Sequence, residues 1–362
     1  MTEDDAGAPG AGEATGGEDA ATAGGEGAAT VGGEGATIRV EVPALLHGVR
    51  IDRAVALLTG LSRSAATAMV AEGRVKVGGR AISTGSRPLA EREVLEVGPM
   101  PGAAPGVVAE PDVEVQVVHA DAEVLVVDKP AGLVVHPGAG HYHHTLIGGL
   151  LARFPDLAEL SRSGVCDPMR PGIVQRLDRG TSGLLVVART ERAYRSLVAQ
   201  LAERSVERRY LALVRGHVAD DRGIVEAPIG RSVRSPTRMA VSAQGKAART
   251  RYVVLGRYEE PAPCSLLLLA LDTGRTHQIR VHLSAIGYPV VGDDRYGSVR
   301  TDPVGFDLPP GRLFLHACRL GFDHPGTGER VHWASALPAE LANVVPGLPE
   351  LTDEVHRTAA LP

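Results

Sequence analysis

The stretch that decides the fold is Pro171–Gly183 (PGIVQRLDRGTSG), which the apolar segment Leu184–Ala188 follows directly. A charged loop between two apolar segments is typical of a sheet edge, where catalytic groups are commonly held. The glycines of this loop allow unusual backbone angles, and its hydroxyls can bond to the loop's own backbone. Asp178 is therefore a candidate nucleophile or base. A structural ion pair between Asp178 and a neighbouring arginine is the alternative interpretation.

A second polar motif, Gly274–His282 (GRTHQIRVH), follows the apolar segment Leu266–Leu271. Its basic side chains favour a cationic surface that binds phosphates and orients one carboxylate. The spacing of His277 and His282 puts the two rings on opposite sides of a strand and apart on a helix, which argues against a shared metal ion. An ordinary solvated charged face is the alternative interpretation.

Four histidines lie in a loop rich in glycine and proline: His136, His141, His143 and His144. They are the most tempting zinc ligands in the chain. However, no cysteine and no well-placed carboxylate completes a tetrahedral set around them. We therefore expect no metal here, and interpret these residues as loop histidines that contact RNA or water.

Composition bounds the class of protein. The 362 residues correspond to about two average domains, and 44% of them are hydrophobic, which is enough for a sizeable core. No apolar run reaches the length of a membrane span, and the first residues do not resemble an export signal. The three cysteines are far apart, so they form neither a disulfide framework nor a CxxC zinc pair. We expect a cytoplasmic protein.

Composition also divides the chain into segments. Residues 1–37 are mostly glycine, alanine and acids, with eight acidic residues and no lysine or arginine, and are predicted to be a disordered tail. Residues 38–97 are predicted to form a small compact unit, and residues 98–112 a linker rich in proline and glycine. A larger unit is expected over residues 113–345, followed by a C-terminal tail at 346–362.

The local patterns predict secondary structure in both units. In the small unit we expect a helix at Asp52–Thr59, a second helix with Ser62 as its N-cap, and strands at Val75–Val77 and Val94–Val97. The larger unit has strand-like segments at Val113–Val117, Val124–Val127, Leu184–Val187, Tyr210–Val214, Thr250–Leu255 and Leu266–Leu271. Helical stretches such as 191–204 interrupt them without a regular alternation. This irregular order predicts an α+β fold with a mixed, largely antiparallel central sheet and flanking helices.

The stretch at 171–183 resembles the signature of RNA pseudouridine synthases of the RluA/RluD type. Further segments agree in the family's order: Asp128–Pro137, Arg209–Val214, Gly274–His282, Leu315–Ala317 and His324–Pro325. The resemblance covers about residues 113–341, and it implies the pseudouridine synthase fold and the isomerisation of uridine without a cofactor or metal. One position departs from the family, since Gln175 stands where it usually has histidine.

The resemblance also implies roles for individual residues of the larger unit. Asp178 would be the catalytic carboxylate, Arg280 would pair with it and hold it ionised, and Tyr210 would stack on the target base. Further contacts with the substrate or RNA are expected at Arg176, Thr181, Lys129, Lys246, Arg275, His277 and Leu315, and phosphate contacts also at Arg249 and Arg251. For Tyr210, an ordinary aromatic residue of the core is the alternative.

The small unit resembles the αL RNA-binding domain named after a ribosomal small-subunit protein, on Arg50–Arg53, Ser62–Ser64 and Gly73–Val77. From residue 50 to residue 87 there are seven basic and two acidic residues, which suits a polyanionic partner. The expected RNA contacts are Arg53, Arg63, Arg74 and Lys76.

The order of the two units resembles the subgroup that acts on large-subunit ribosomal RNA. We therefore expect an enzyme that works as a monomer on large-subunit ribosomal RNA or a pre-ribosomal particle, with RNA as its partner and no membrane. Two alternatives stay open. One is the same chemistry on transfer RNA or another RNA, and the other is a non-catalytic RNA-binding factor in ribosome assembly.

Overall fold

The computed structural model describes residues 37–61, 63–98, 106–138, 141–235, 237–297, 305–348 and 361. The chain divides into two compact units, Met1–Pro101 and Gly102–Pro362. The acidic tail, almost all of the C-terminal tail, the N-cap at Ser62 and the side chain of Arg63 lie outside the described residues.

The small unit is an antiparallel sheet with two helices. Its strands are β1 (Ile38–Glu41), β2 (Val75–Val77), β3 (Arg80–Ala81) and β4 (Val94–Val97), in the order β1-β4-β2-β3. The helices are α1 (Ile51–Thr59) and α2 (Arg63–Ala71), and a single 3₁₀ turn lies at Ala44–Leu46. Gly78 and Gly79 join β2 to β3 with φ angles of 57° and 76°, the conformation that a two-residue hairpin needs and that glycine adopts without strain.

A nine-stranded sheet forms the centre of the larger unit. Its strands are β5 (Gln116–Ala120), β6 (Val124–Lys129), β7 (Ser182–Ala188), β8 (Glu207–Arg215), β9 (Arg222–Glu226), β12 (Arg249–Tyr258), β13 (Cys264–Leu271), β14 (Leu315–Asp323) and β15 (Arg330–Ala334). They lie in the order β5-β6-β7-β14-β8-β13-β12-β9, with β15 paired to β14. Among the described strands, β7 and β14 form the one parallel pair. The predicted mixed, largely antiparallel sheet is thus confirmed.

The remaining elements cover or extend this sheet. Strands β10 (Ile229–Arg231) and β11 (Met239–Val241) form a separate hairpin. The helices are α3 (Leu146–Arg153), α4 (Leu157–Arg162), α5 (Glu191–Glu203), α6 (Gln278–Ala285) and α7 (Ala339–Ala342). Threonine hydroxyls cap two of them, because Thr145 accepts from the amide of Gly148 and Thr190 from the amide of Ala193.

The first predicted strand of the larger unit begins later than its alternating valines indicate. Val113 belongs to a turn in which its amide donates to the carbonyl of Glu110. Its own carbonyl packs so closely against Gly149 of α3 that a side chain there would not fit. Contact with α3 therefore takes the place of strand pairing at Val113, and β5 starts at Gln116.

Strand β7 positions the loop that contains Asp178. All seven of its residues are buried, because β6 and β14 flank it and the sheet is covered on both faces. The loop at 171–181 thus leads into an interior strand, and does not lie on the lateral edge of the sheet. Gly183 has a φ of 111°, and its Cα faces the backbone of Ala317 in β14.

We predict that Gly183→Ala destabilises the larger unit by more than about 2 kcal/mol, because the added methyl group would collide with the backbone of Ala317 and the positive φ would be strained. Urea denaturation followed by circular dichroism measures this loss. Gly138→Ala is the matched control, since a Cβ there meets nothing within 4 Å. Equal stability of the two variants would contradict the assigned close approach of β7 and β14.

Candidate active site

Asp178 and Arg280 form the centre of the site. The Arg280 guanidinium, in the first turn of α6, donates from Nη1 to Oδ2 of Asp178 at 3.0 Å. The other carboxylate oxygen, Oδ1, lies 3.9 Å from Nε2 of His277, which is beyond hydrogen-bond distance. The Asp178 side chain is 19% exposed. The carboxylate is therefore oriented through Oδ2, while Oδ1 has no hydrogen-bond partner among the described residues.

Asp293 holds Arg280 from the opposite side. The guanidinium donates to it twice, from Nε to Oδ2 at 2.7 Å and from Nη2 to Oδ1 at 2.9 Å. Oδ1 also accepts from the backbone amides of Arg295 and Tyr296, each at 3.0 Å. Burial by itself would raise the pKa of Asp293, but these hydrogen bonds outweigh it and the pKa is lowered. The two-point contact fixes the guanidinium plane and so aims Nη1 at Asp178.

Part of the sequence motif at 274–282 is buried and therefore does not form a phosphate-binding surface. Arg280 is 7% exposed and His282 is 0% exposed, so the alternative of a solvated charged face is wrong for these residues. His282 contacts the hydroxyl of Thr250 and the carbonyl of Ala227, both at 2.9 Å. Gln278 orders the preceding turn by accepting from the amide of Arg275 at 3.0 Å. The motif therefore builds the start of α6 and presents Arg280 to the site.

His277 precedes α6 and adjoins Tyr296. Its φ of 55° is left-handed, and its Nδ1 lies 2.7 Å from the Tyr296 hydroxyl. The ring of Tyr296 lies 5.0 Å from the Arg280 guanidinium, within the range of a cation–π contact. Burial and the charge of Arg280 lower the pKa of His277 below its usual value, against the opposing effect of Asp178. The imidazole is therefore neutral near pH 7.

Tyr210 lies on β8, between β13 and β14, and is 7% exposed. Burial raises the pKa of Tyr210 to about 12, so its hydroxyl stays protonated at neutral pH. The ring belongs to the main hydrophobic core, and its role in stacking on a base stays a prediction.

Lys129 occupies a different environment from the one expected of an RNA contact. It is 0% exposed, and its Nζ donates to the carbonyls of Pro130, Leu133 and Arg179 at 2.7, 2.9 and 3.4 Å. These acceptors use all three hydrogens of an ammonium group. Burial lowers the pKa of Lys129 to about 7. We correct the expectation accordingly, since Lys129 ties the segment after β6 to the loop of Asp178 and does not face RNA.

Arg312 binds the same loop. It donates to the carbonyl of Gly180 at 2.9 Å and to the hydroxyl of Ser182 at 2.7 Å, and Nδ1 of His316 also contacts that hydroxyl at 2.9 Å. Thr181 lies between these contacts, 2% exposed, and its hydroxyl has no hydrogen-bond partner among the described residues. The backbone that carries Asp178 is thus fixed by two buried basic side chains.

Among the residues expected to contact RNA, Leu315 is buried, whereas several basic side chains lie nearer the surface. Leu315 begins β14 and is 3% exposed, so it supports the site from the core. Arg176 is exposed and donates to the hydroxyl of Thr276 at 3.1 Å, beside the start of α6. Arg275 donates to the carbonyl of Ala247 at 3.1 Å, next to the exposed Lys246. These three basic side chains therefore remain candidates for phosphate contacts.

Arg249 and Arg251 share one carboxylate. Asp272 lies 2.7 Å from Arg251 and 3.5 Å from Arg249, and the two arginine side chains are 33% and 36% exposed, so their phosphate contacts stay a prediction. In the small unit, Arg53 and Lys76 are exposed, whereas Arg74 lies 3.6 Å from the carboxylate of Glu72.

The histidine-rich loop contains no metal cluster in the part of the chain that the structure describes. No group of three or more histidine, cysteine, aspartate or glutamate residues lies close enough together there to hold an ion. His141 contacts Arg179 at 3.2 Å, and His143 lies 3.7 Å from Glu110.

Among the described helices, none has the length and apolar character needed to cross a membrane.

Asp293 and Tyr296 are the two site residues that the sequence analysis missed. They belong to the segment VVGDDRYG at 290–297, in which two aspartates stand side by side. Only burial distinguishes them, because Asp293 is 2% exposed while Asp294 is exposed. One signal in the sequence could have identified Asp293. An acid close behind two apolar valines is expected to be buried, and a buried acid needs a cationic partner.

Comparison with known proteins gives a consistent result. The family model described as RNA pseudouridylate synthase matches residues 123–285. An uncharacterised RNA pseudouridine synthase of Bacillus subtilis is 42% identical over 79% of this chain and 89% of its own length. The ribosomal large subunit pseudouridine synthase D of Pseudomonas aeruginosa is 42% identical over 83% of this chain and 92% of its own. A solved human structure, RNA pseudouridylate synthase domain containing 1, is 32% identical, covering 62% of this chain and 84% of that chain with a TM-score of 0.49.

We predict that Asp293→Asn lowers the free energy of unfolding by about 3–5 kcal/mol at pH 7, because it removes one partner of a buried ion pair. Since the pKa of Asp293 is lowered from 3.8, its stabilising contribution is present above pH 3.8 and is lost as the pH falls through the folded-state pKa. The variant should therefore lose less stability than the native protein on acidification below pH 4.

Urea denaturation at a series of pH values from 7 to 3 measures this difference. Asp294→Asn is the matched control, because it changes an exposed aspartate next in the chain. Identical pH dependence for Asp293→Asn and the native protein would show that Asp293 does not carry the buried charge.

Proposed function

Since the chain belongs to the RNA pseudouridine synthase family, we propose that it converts specific uridines of large-subunit ribosomal RNA to pseudouridine, with Asp178 as the catalytic carboxylate. The isomerase activity on RNA follows from the family. The ribosomal target is supported by relatives in Pseudomonas aeruginosa and Nitrosomonas europaea, both named ribosomal large subunit pseudouridine synthase D.

The observation that carries the catalytic assignment is the asymmetry of the Asp178 carboxylate. Arg280 binds Oδ2 at 3.0 Å, and Oδ1 lies 3.9 Å from Nε2 of His277, beyond hydrogen-bond distance. The reaction detaches uracil from the ribose, turns the base and rejoins it through carbon 5. A carboxylate oxygen that is held in place, with no hydrogen bond from the described residues, suits this chemistry, whether it attacks the base or the ribose or removes a proton.

The surrounding residues would prepare the nucleoside for this step. A base inside a helix is out of reach, so the enzyme must extrude it and stabilise the gap left behind. Arg176, which is exposed beside the start of α6, would fill the space left by the base or bind a neighbouring phosphate. Tyr210 would stack on the extruded base, a contact worth about 1–3 kcal/mol. Arg275 and Lys246 would bind the adjacent backbone.

Two buried basic side chains would act on the geometry of the loop and not on the RNA. Lys129 and Arg312 donate to the carbonyls of Arg179 and Gly180, the two residues that follow Asp178. Small displacements of a catalytic group are costly in rate, so a loop fixed by buried hydrogen bonds supports a reaction that one carboxylate performs. Gln175 lies outside this network of contacts and does not alter the pairing of Asp178 with Arg280.

For the small unit we propose an RNA-binding role of the αL type. Its sheet and two helices leave Arg53 and Lys76 exposed, while other arginines are paired within the unit, as Arg87 is with Glu93 at 2.6 Å. RNA is recognised largely by shape and by its phosphates and 2′-hydroxyls. The small unit would thus increase the affinity of the enzyme for a folded RNA.

We predict that Asp178→Asn lowers pseudouridine formation by at least about 10³-fold, the scale expected for loss of an essential nucleophile or base, and leaves RNA affinity within about twofold. The assay measures tritium release from transcripts containing uridine labelled at carbon 5. Parallel transcripts of large-subunit ribosomal RNA and of transfer RNA test the proposed target. Asp294→Asn is the control and should retain full activity.

Three results would argue against parts of this proposal. Turnover by Asp178→Asn would show that Asp178 is not the catalytic carboxylate. Activity on the transfer RNA transcripts alone would move the substrate to that class. Tight binding without turnover by the native protein on every transcript would favour a non-catalytic assembly factor.

We predict that the double variant Arg53→Gln and Lys76→Gln binds the ribosomal RNA transcript more weakly. It should also reduce the slope of log affinity against log salt concentration by up to about 2, because each lost phosphate contact removes roughly one released counterion. Filter binding at a series of salt concentrations measures the slope. The control is Arg39→Gln with Arg87→Gln, whose guanidinium groups already pair with Glu96 and Glu93; an equal change in both variants would argue against the assigned contacts.

A further inference from the structure

His277 and Tyr296 form a pair at the site that the scheme above does not use. His277 stands at the N-cap of α6, where its left-handed φ of 55° is unusual for a residue with a side chain. Its side chain is 16% exposed. Backbone conformations of this kind persist where the surrounding structure enforces them, and they are concentrated at functional sites. The unusual backbone directs the imidazole toward Asp178.

The hydrogen bonds of Tyr296 determine which nitrogen of His277 carries the proton. The backbone amide of Met239 donates to the Tyr296 hydroxyl oxygen at 3.1 Å, and this oxygen lies 2.7 Å from Nδ1 of His277. A tyrosine hydroxyl has one hydrogen to donate. Among the described residues, the hydroxyl has no acceptor other than Nδ1. When it donates there, Nδ1 carries no proton and a neutral ring carries its proton on Nε2.

The charged groups around His277 favour this neutral form. Asp178 faces the ring from the loop before β7, Arg280 from α6, Arg295 from the segment after Asp293, and Arg176 from the loop before Asp178. Burial and the three arginines lower the pKa of His277, against the opposing effect of Asp178. Burial also raises the pKa of Tyr296, which therefore keeps the hydrogen that it donates.

The result is a hydrogen-bond donor in a fixed position beside the reactive oxygen. The Nε2–H of His277 and Oδ1 of Asp178 are 3.9 Å apart, too far for a direct hydrogen bond. A nucleoside that touches Oδ1 comes within reach of Nε2. A nitrogen held in this tautomer can donate but cannot accept, so it suits a carbonyl oxygen and opposes an amino group. Uracil has a carbonyl at position 4, where cytosine has an amino group.

We propose that His277 donates a hydrogen bond from Nε2 to a carbonyl oxygen of the extruded uracil, and that Tyr296 is the positioning residue that sets the tautomer of His277. The inference rests on the proposed function. A contact at the position 4 carbonyl would favour uridine over cytidine, whereas a contact at position 2 would not distinguish the two bases. His277 would touch the substrate, whereas Tyr296 would act only through His277.

Nitrogen-15 NMR of histidine-labelled enzyme tests the tautomer without any RNA. The signals of His277 are identified by their loss in His277→Gln. We expect the Nε2–H tautomer at pH 7 in the native enzyme and a mixture of tautomers in Tyr296→Phe, with Tyr258→Phe unchanged as the control. A protonated ring or an Nδ1–H tautomer in the native enzyme would overturn the proposal, even if Tyr296→Phe does not fold. An unchanged tautomer in Tyr296→Phe would overturn the role of Tyr296.

Kinetics with the ribosomal RNA transcript test the contact with the base. His277→Leu should lower kcat/KM by about 10- to 100-fold and Tyr296→Phe by about 3- to 10-fold, the scale of losing or weakening one hydrogen bond. His277→Gln should recover most of the loss, because its amide can donate from a similar position. Leucine and glutamine are equally strained at this backbone position, so equal activity of these two variants would overturn the proposal.

Transcripts made with 2-thiouridine or 4-thiouridine identify the carbonyl. Sulfur is a weaker acceptor than oxygen, so one of the two replacements should slow the native enzyme and have little effect on His277→Leu. Equal sensitivity of both enzymes to both replacements would overturn the contact. Failure of the proposed function is distinguishable, because a native enzyme without turnover on any transcript can still show the expected tautomer.

Discussion

The contact between Arg280 and Asp293 is the constraint on which the rest of the site depends. A guanidinium buried to this extent would be costly to desolvate without a partner, and Asp293 supplies two hydrogen bonds at 2.7 and 2.9 Å. Asp293 is itself held by the backbone amides of Arg295 and Tyr296. The orientation of Arg280 is thereby set before any substrate is bound. Its remaining nitrogen, Nη1, then fixes Oδ2 of Asp178. The other oxygen, Oδ1, lies beyond hydrogen-bond distance of His277.

The sheet brings these groups together from distant parts of the chain. Asp178 precedes β7 and Arg280 lies on α6, about a hundred residues later. The parallel contact between β7 and β14 places Arg312, which lies just before β14, beside the Asp178 loop. Lys129 and Arg312 bind the backbone carbonyls of the two residues that follow Asp178. Rigid support of this kind suits a reaction in which a single carboxylate acts on a detached base.

Several features could be predicted from local patterns, and others could not. Alternation and apolar runs located most strands of the large sheet, because buried β-strands need them. The pairing of Asp178 with Arg280 was expected from motif resemblance. The prediction for Lys129 was wrong, because a lysine beside a polar motif is usually solvated. Only the packing around β6 shows that its side-chain nitrogen binds three carbonyls. The strand at the alternating valines begins late because α3 occupies the position of Val113.

By itself the sequence determined the fold class, the candidate acid and the basic character of the small unit, because these follow from residue type and spacing. The arginine expected beside the acid came from the resemblance to a family. Tertiary structure decided which of two adjacent aspartates holds Arg280, since Asp293 and Asp294 differ only in burial. It also decided that Tyr296 meets His277, and which side of the imidazole faces Asp178. Burial and hydrogen-bond partners depend on segments far apart in the chain, so no local pattern contains them.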